Sequence, residues 1–180
     1  MVKKNDLQLF RARRTIRRFT AEDISEKELE ALLEAGSVAP SRLDRRPLHY
    51  VIIRSSDTKA KIAEALRVRP YIEEAPVVIA VCANPTLSDT WELDGSAAIE
   101  NMLLAATKLG LGGAWVGSKG SALWDQAVQV MRQIIGIPED MEVVSLVCFG
   151  HPAEEKRPYE PGEKMDRYRL HYEHWDNLKL

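Results

Sequence analysis

WELDGSAAIENMLLAATKLGLGGAWVG, residues 91–117, is the stretch on which the fold turns. Trp91, Ala98, Met102, Ala105 and Leu109 recur at helical spacing. A long helix is therefore predicted over 89–109, with Gly110 at the left-handed position that closes it. Residues 98–106 are apolar almost all round, and a helix of that kind is covered on several sides. AWV (114–116) then reads as a short strand.

Working outward, Ser25 and Glu28 form a capping box for a helix over 25–36, with Leu29, Leu32 and Leu33 as its apolar stripe and Gly36 at its end. HYVIIR (49–54) is short and β-branched, hence a strand. Asp57 is expected to cap a helix carrying Ile62, Ala63 and Leu66 that stops before Pro70. VVIAVCA (77–83) is a continuous apolar run, as in a strand buried on both faces. Ser121 caps a helix bearing Trp124, Val128, Met131 and Ile135, closed by Gly136 and Pro138, and VVSLVCF (143–149) is the last core strand. Neither an internal repeat nor a low-complexity stretch interrupts this order.

The chain has 180 residues, 45% apolar and 29% charged, with net charge −2. That supports one domain, 1–180, and is too short for a two-domain dinucleotide-binding dehydrogenase. No apolar run reaches the roughly 18 residues of a membrane span. MVKKNDLQLF lacks the apolar core and cleavage site of a signal peptide. Cys82 and Cys148 lie inside apolar runs and read as small buried hydrophobes. A soluble cytoplasmic protein without a membrane partner is expected.

Charge is unevenly spread. Residues 1–20 hold seven Lys and Arg against Asp6, whereas 21–34 hold six acids against Lys27. Such a cluster fits a local anion site better than a nucleic-acid footprint, and no helix-turn-helix accompanies it. After Gly150 the composition changes: 151–180 holds three prolines, thirteen charged residues and few aliphatics, yet carries Tyr168, Tyr172 and Trp175. An arm packed on a partner subunit reconciles these observations.

In RARRTIRRF (11–19), Arg13, Thr15 and Arg17 alternate. On an extended segment they share a face and suit a phosphate; on a helix they form a solvated basic surface. The loop APSRLDRRP (39–47) offers Ser41, Asp44 and Arg46 as binding groups or is a plain connection. GLGGAWVGSKGS (110–121) has five glycines, but its Ser118-Lys119 order rules out a phosphate-binding P-loop. What remains is a backbone-rich edge that a flat ligand can approach, or a helix cap and a turn. His171 and His174 lack further ligands for a metal site, and no histidine accompanies a serine or cysteine in a triad pattern.

Several motifs together resemble the nitroreductase family of small FMN-dependent flavoproteins. RRTIRRF (13–19) is similar to its Arg-Arg-Ser-x-Arg-x-Phe segment, and APSRLDRRPLHYVII (39–53) to its Ala-Pro-Ser loop and strand. Residues 91–117 match its central helix and following strand, FGHPAEEKRPYE (149–160) its Gly-Tyr-Pro-Ala-Glu segment, and RLHYEHW (169–175) its C-terminal arm. The resemblance spans roughly residues 10–175, in register.

It implies an α+β, three-layer α/β/α fold with a mixed, mainly antiparallel sheet, built as an intertwined homodimer whose 151–180 arm packs on the partner. By the same resemblance, Arg13 and Thr15 hold the FMN phosphate, with Arg14 beside them, and Arg17 lies near the flavin N1/O2 edge. Arg169, together with Arg167, reaches the phosphate from the arm. Pro40, Ser41 and Asp44 come from the other subunit against the ring, and Val116, Gly117 and Ser118 touch it by backbone. No protein residue is expected to act as the catalytic group, since the flavin carries the chemistry.

The implied activity is ping-pong hydride transfer from NADH or NADPH to the flavin and on to a small-molecule acceptor: a nitroaromatic, quinone or activated alkene. A non-catalytic flavin-binding or sensing protein of the same fold is the alternative. Three positions depart from the pattern: Asp44 replaces an Asn, Leu48 an aromatic residue, and Arg42 a small residue. An acid near the ring disfavours the anionic reduced flavin unless Arg42, Arg45 or Arg46 pairs with it.

Overall fold

Val77–Ala83 (β2) is buried at every residue and pairs antiparallel on both sides, which makes it a central strand. The computed structural model describes residues 7–67, 70–117 and 119–178. The other strands are β1 (Leu48–Ile53), β3 (Gly112–Val116) and β4 (Glu142–Gly150), and the sheet order is β1-β2-β4-β3. All three named pairings are antiparallel. Among the described residues, the sheet becomes mixed only at its outer edge, where Thr15 makes a parallel bridge to Gly113 of β3.

The α-helices among the described residues are α1 (Gln8–Ala12), α2 (Glu26–Ser37), α3 (Ser56–Ala65), α4 (Pro70–Glu74), α5 (Trp91–Lys108) and α6 (Ala122–Ile135). Alternation along β2 divides them into layers. Val78, Ala80 and Cys82 face α3, α4 and α6 through Ile62, Ile72, Trp124 and Met131. Val77, Ile79 and Val81 face α2 and α5 through Leu32, Ile99, Met102 and Leu103. The result is the expected three-layer arrangement, with α5 as the main helix of one outer layer. Among the described residues, no helix is long and apolar enough to cross a membrane.

Local chemistry explains most boundaries. Ser25 and Glu28 form both halves of the capping box on α2, a device contributing about 1 kcal/mol. Ser121 accepts a hydrogen bond from the Trp124 N–H, and Gly136 closes α6 at φ 67°. Elsewhere the expectations need correction. Ser55 rather than Asp57 caps α3, because its hydroxyl accepts from the Thr58 N–H; Asp57 lies in the first turn and pairs with Lys61. Pro70 starts a further helical turn, α4, instead of only ending a helix. The strand expected over 114–116 begins at Gly112.

In β4, Val81 faces Ser145 but Cys82 faces Val143, so Val144 is an extra residue in the ladder. This bulge presses Val144 against Gly95 of α5, where even a β-carbon would come within 2.7 Å of it.

The C-terminal segment begins by retracing the N-terminal one. Thr20 N donates to His151 O (2.9 Å), Ala153 N to Arg18 O (2.8 Å) and Tyr159 N to Arg11 O (3.0 Å). Beyond residue 160 the chain is largely exposed, including Tyr168 (70% exposed) and Trp175 (79%). Residues 151–159 are thus engaged within the chain, and the exposed side chains follow them.

Candidate functional site

Residues 13–19 are fixed by two buried side chains. Ile16 packs over Gly112 while its N–H donates to the Gly113 carbonyl at 3.0 Å, and Phe19 packs against Gly150. Arg13, Arg14 and Arg17 lie beside these anchors and take different partners. Arg13 Nε is 3.3 Å from Glu100 Oε1 on α5. Arg14 donates to the Arg157 carbonyl and stacks 4.2 Å from the Tyr159 ring centre. Arg17 lies 5.8 Å from the ring centre of Tyr71 in α4. The extended alternative is thus the one adopted, and Arg13 and Arg17 take separate partners on it.

Two further links tie this segment to the start of the C-terminal segment. Lys156 Nζ donates to the Thr15 carbonyl at 2.6 Å, and the Arg17 N–H donates to Glu154 Oε1 at 2.5 Å. The Arg17 N–H, with help from Lys156, holds the Glu154 carboxyl below the usual carboxylate range.

Because Thr15 pairs with Gly113, the arginine segment lies at one end of β3 and Gly117 lies past the other. The separation is roughly 13 Å at about 3.3 Å per residue. Val116 is buried, and its carbonyl accepts a 2.7 Å hydrogen bond from Ser145 Oγ. Gly117 has φ 86°, and a β-carbon there would fall 1.9 Å from the Trp124 ring. Only glycine fits, so bare backbone faces a cavity of about 260 Å³ lined by Trp91, Ser96, Trp115 and Val144, with Glu92 and Lys119 also present. Ser118 lies outside the described residues.

The 39–47 loop is tied to the N-terminal end of the same helix, α5. Arg42 N donates to Asp94 Oδ1 at 3.0 Å and Ser88 Oγ to Asp94 Oδ2 at 2.6 Å. Arg42 also pairs with Asp89 at 2.6 Å. Asp94 is thus a buried carboxylate bonded through both oxygens, and it positions the loop. Sequence reasoning missed it. The available signal was an acid lying one turn before Ala98 on an otherwise apolar helix stripe.

Asp44 (φ 53°) receives two hydrogen bonds from Arg46, at 2.9 and 3.1 Å. Arg46 lowers the carboxyl pKa of Asp44 and partners its charge, which identifies the arginine left open among 42, 45 and 46. Ser41 Oγ accepts from Arg46 N at 3.0 Å. Pro40 and Ser41 line a separate cavity of about 160 Å³ with Gly36, Arg46 and Tyr50.

Arg167 and Arg169 occupy a short 3-10 turn, where Arg169 Nε pairs with Asp166 at 3.1 Å. No hydrogen bond or ion pair among the described residues joins either one to 13–17. His171 stacks on Trp175 at 4.3 Å and accepts from Asp176 N at 3.0 Å. Among the described residues, no group of three or more His, Cys, Asp or Glu could hold a metal ion.

The model of the Nitroreductase family matches residues 10–79 and 67–151. The chain belongs to the nitroreductase family. Among its nitroreductase relatives, an Archaeoglobus fulgidus protein named "Putative NADH dehydrogenase/NAD(P)H nitroreductase" is 36% identical over 173 residues, covering 94% of this chain and 98% of its own. A solved Bacteroides thetaiotaomicron structure of the same name superposes with TM-score 0.87 at 28% identity, covering 96% of this chain and 99% of its own. A Desulfovibrio desulfuricans family structure, solved in complex with FMN, gives TM-score 0.75 at 30% identity, covering 89% of this chain and 99% of its own. The nitroreductase fold expected from the motifs is therefore the one this chain adopts.

Proposed function

We propose that this nitroreductase-family chain is an FMN-dependent NAD(P)H oxidoreductase, a cytoplasmic homodimer. The observation that carries this reading is the alignment of the arginine-bearing segment and the bare backbone of Gly117 at opposite ends of β3. An elongated ligand with an anionic end and a flat end suits that arrangement. The relative solved with FMN and the NAD(P)H nitroreductase name of the archaeal relative support the same choice.

Bound FMN would supply the redox chemistry, accepting a hydride from NADH or NADPH and delivering it to a nitroaromatic, quinone or activated alkene. The chain's own residues bind and tune. Arg13, Thr15 and Arg14 hold the phosphate, joined by Arg169 and Arg167 from the arm. To do so Arg13 exchanges Glu100 for phosphate, giving up a partly exposed ion pair of about 0–1 kcal/mol. Arg17 favours negative charge at the N1/O2 edge. Val116, Gly117 and Ser118 meet the ring by backbone, and Pro40, Ser41 and Asp44 close it from the partner subunit. Pairing with Arg46 keeps the Asp44 carboxylate from opposing reduction. The exposed Met165, Tyr168 and Trp175 suit burial against a second copy.

Asp44 in place of the Asn found in the family pattern favours a second reading, a non-catalytic flavin-binding or sensing protein. Visible absorption decides between them. The purified protein should be yellow and should bleach on anaerobic addition of NADPH or NADH. Yellow protein that neither reductant bleaches would favour the second reading. Colourless protein that takes up no FMN would defeat both. Arg13→Ala with Arg169→Ala should abolish flavin retention, and full retention would overturn the phosphate assignment.

A further inference from the structure

Lys119 has no part in the function proposed above, yet it is held at the cavity beside Gly117. Its ammonium lies 4.4 Å from the ring centre of Trp91 and 3.1 Å from Glu92 Oε1. Gly117 precedes it at φ 86° and Gly120 follows it at φ 94°. The two contacts differ in kind. Trp91 is buried and fixed, so the aromatic contact keeps the cation in place. Glu92 and Lys119 are 53% and 55% exposed in their side chains, so the ion pair is easily exchanged for another anion. Trp115, 38% exposed, offers a flat apolar wall in the same cavity.

We infer that Lys119 makes the site selective for flat aromatic electron acceptors carrying an acidic group. The acceptor ring lies along Trp115, its carboxylate takes the place of Glu92 on Lys119, and Glu92 turns to water. A neutral acceptor gains nothing from the cation. The assignment rests on the flavin reading above and concerns recognition only.

The test compares 4-nitrobenzoate with 4-nitrobenzamide at low ionic strength and fixed NADPH or NADH. In a ping-pong cycle the acceptor's kcat/KM belongs to its own half-reaction, so the charge of the reductant drops out of the ratio. The ratio of kcat/KM for the acid to that for the amide should fall about fivefold in Lys119→Gln and further in Lys119→Glu, as expected for losing and reversing an exposed charge. Benzoate, which accepts no electrons, gives an independent readout: its dissociation constant, followed by tryptophan fluorescence, should rise about fivefold in Lys119→Gln.

A ratio within twofold of wild type in both variants, or an unchanged benzoate affinity, overturns the assignment. So does a Lys119→Gln protein that loses its flavin while wild type keeps it, because Lys119 would then hold the cofactor. Wild-type protein that binds no FMN defeats the flavin reading itself, and is recognised before any variant is made.

Discussion

The β2–β4 pair and the segment 160–178 are opposite solutions to the same problem. Every residue of β2 is buried, and all of β4 beyond its first residue is buried too, so hydrophobic burial dominates their placement. The C-terminal segment has hardly a buried residue and leaves Met165, Tyr168 and Trp175 in water. It is held by short-range links such as Arg157 with Glu163, whose carboxyl the arginine lowers to about 2. A region that completes its own burial forms a scaffold. A region that exposes its aromatics is finished by something else, here a second copy by our proposal.

Substitutions can break or sharpen that contrast. Phe149→Ala, at a fully buried β4 position, should lower unfolding free energy by about 3–5 kcal/mol in denaturant titrations. Ser25→Ala removes one half of a capping box away from the sheet and should cost about 1 kcal/mol in the same measurement. Acid should act at the boundary between the regions. The Glu154 carboxyl is lowered in the folded chain, so its link to Arg17 stabilises fully above the ordinary value of 4.5 and is lost as pH falls through the lowered one. Limited proteolysis should then cut within 151–178 at a pH where far-UV circular dichroism still reports an intact sheet. Trp175→Ala should change single-chain stability by less than about 0.5 kcal/mol, as for an exposed side chain. It should nevertheless shift the proposed dimer toward monomer in sedimentation at low concentration; an unchanged association constant would remove Trp175 from the proposed interface.

The same contrast governs what could be read from the sequence. VVIAVCA declares a doubly buried strand because each of its side chains obeys one rule, and Gly136 and the Ser25–Glu28 box act within a few residues of where they stand. Features set by distant partners were hidden. The direction of Arg13 depends on Glu100, and the shape of the 39–47 loop depends on Asp94, each brought close only by folding. Short elements such as α4 carry too few residues for a periodic pattern. The Val144 bulge leaves no mark in a run of apolar residues. Among candidate site residues, Gly117 could be read for its backbone, whereas Lys119 became informative only once Trp91 and Glu92 stood beside it.

The sheet order carries a consequence for how the molecule forms. β2 meets β4 only after the chain between them, including α5, β3 and α6, has been gathered in, so the central pairing cannot zip up from a local turn. Closing so long a loop is entropically demanding, and topologies dominated by distant pairing fold slowly. Until β4 arrives, β2 is an uncharged, proline-free strand of seven residues whose β4-facing edge is open. Such a segment is prone to pair with its counterparts on other chains. The strand that does most to stabilise the finished protein is therefore its chief hazard during refolding, and yield should depend more steeply on protein concentration than native stability suggests.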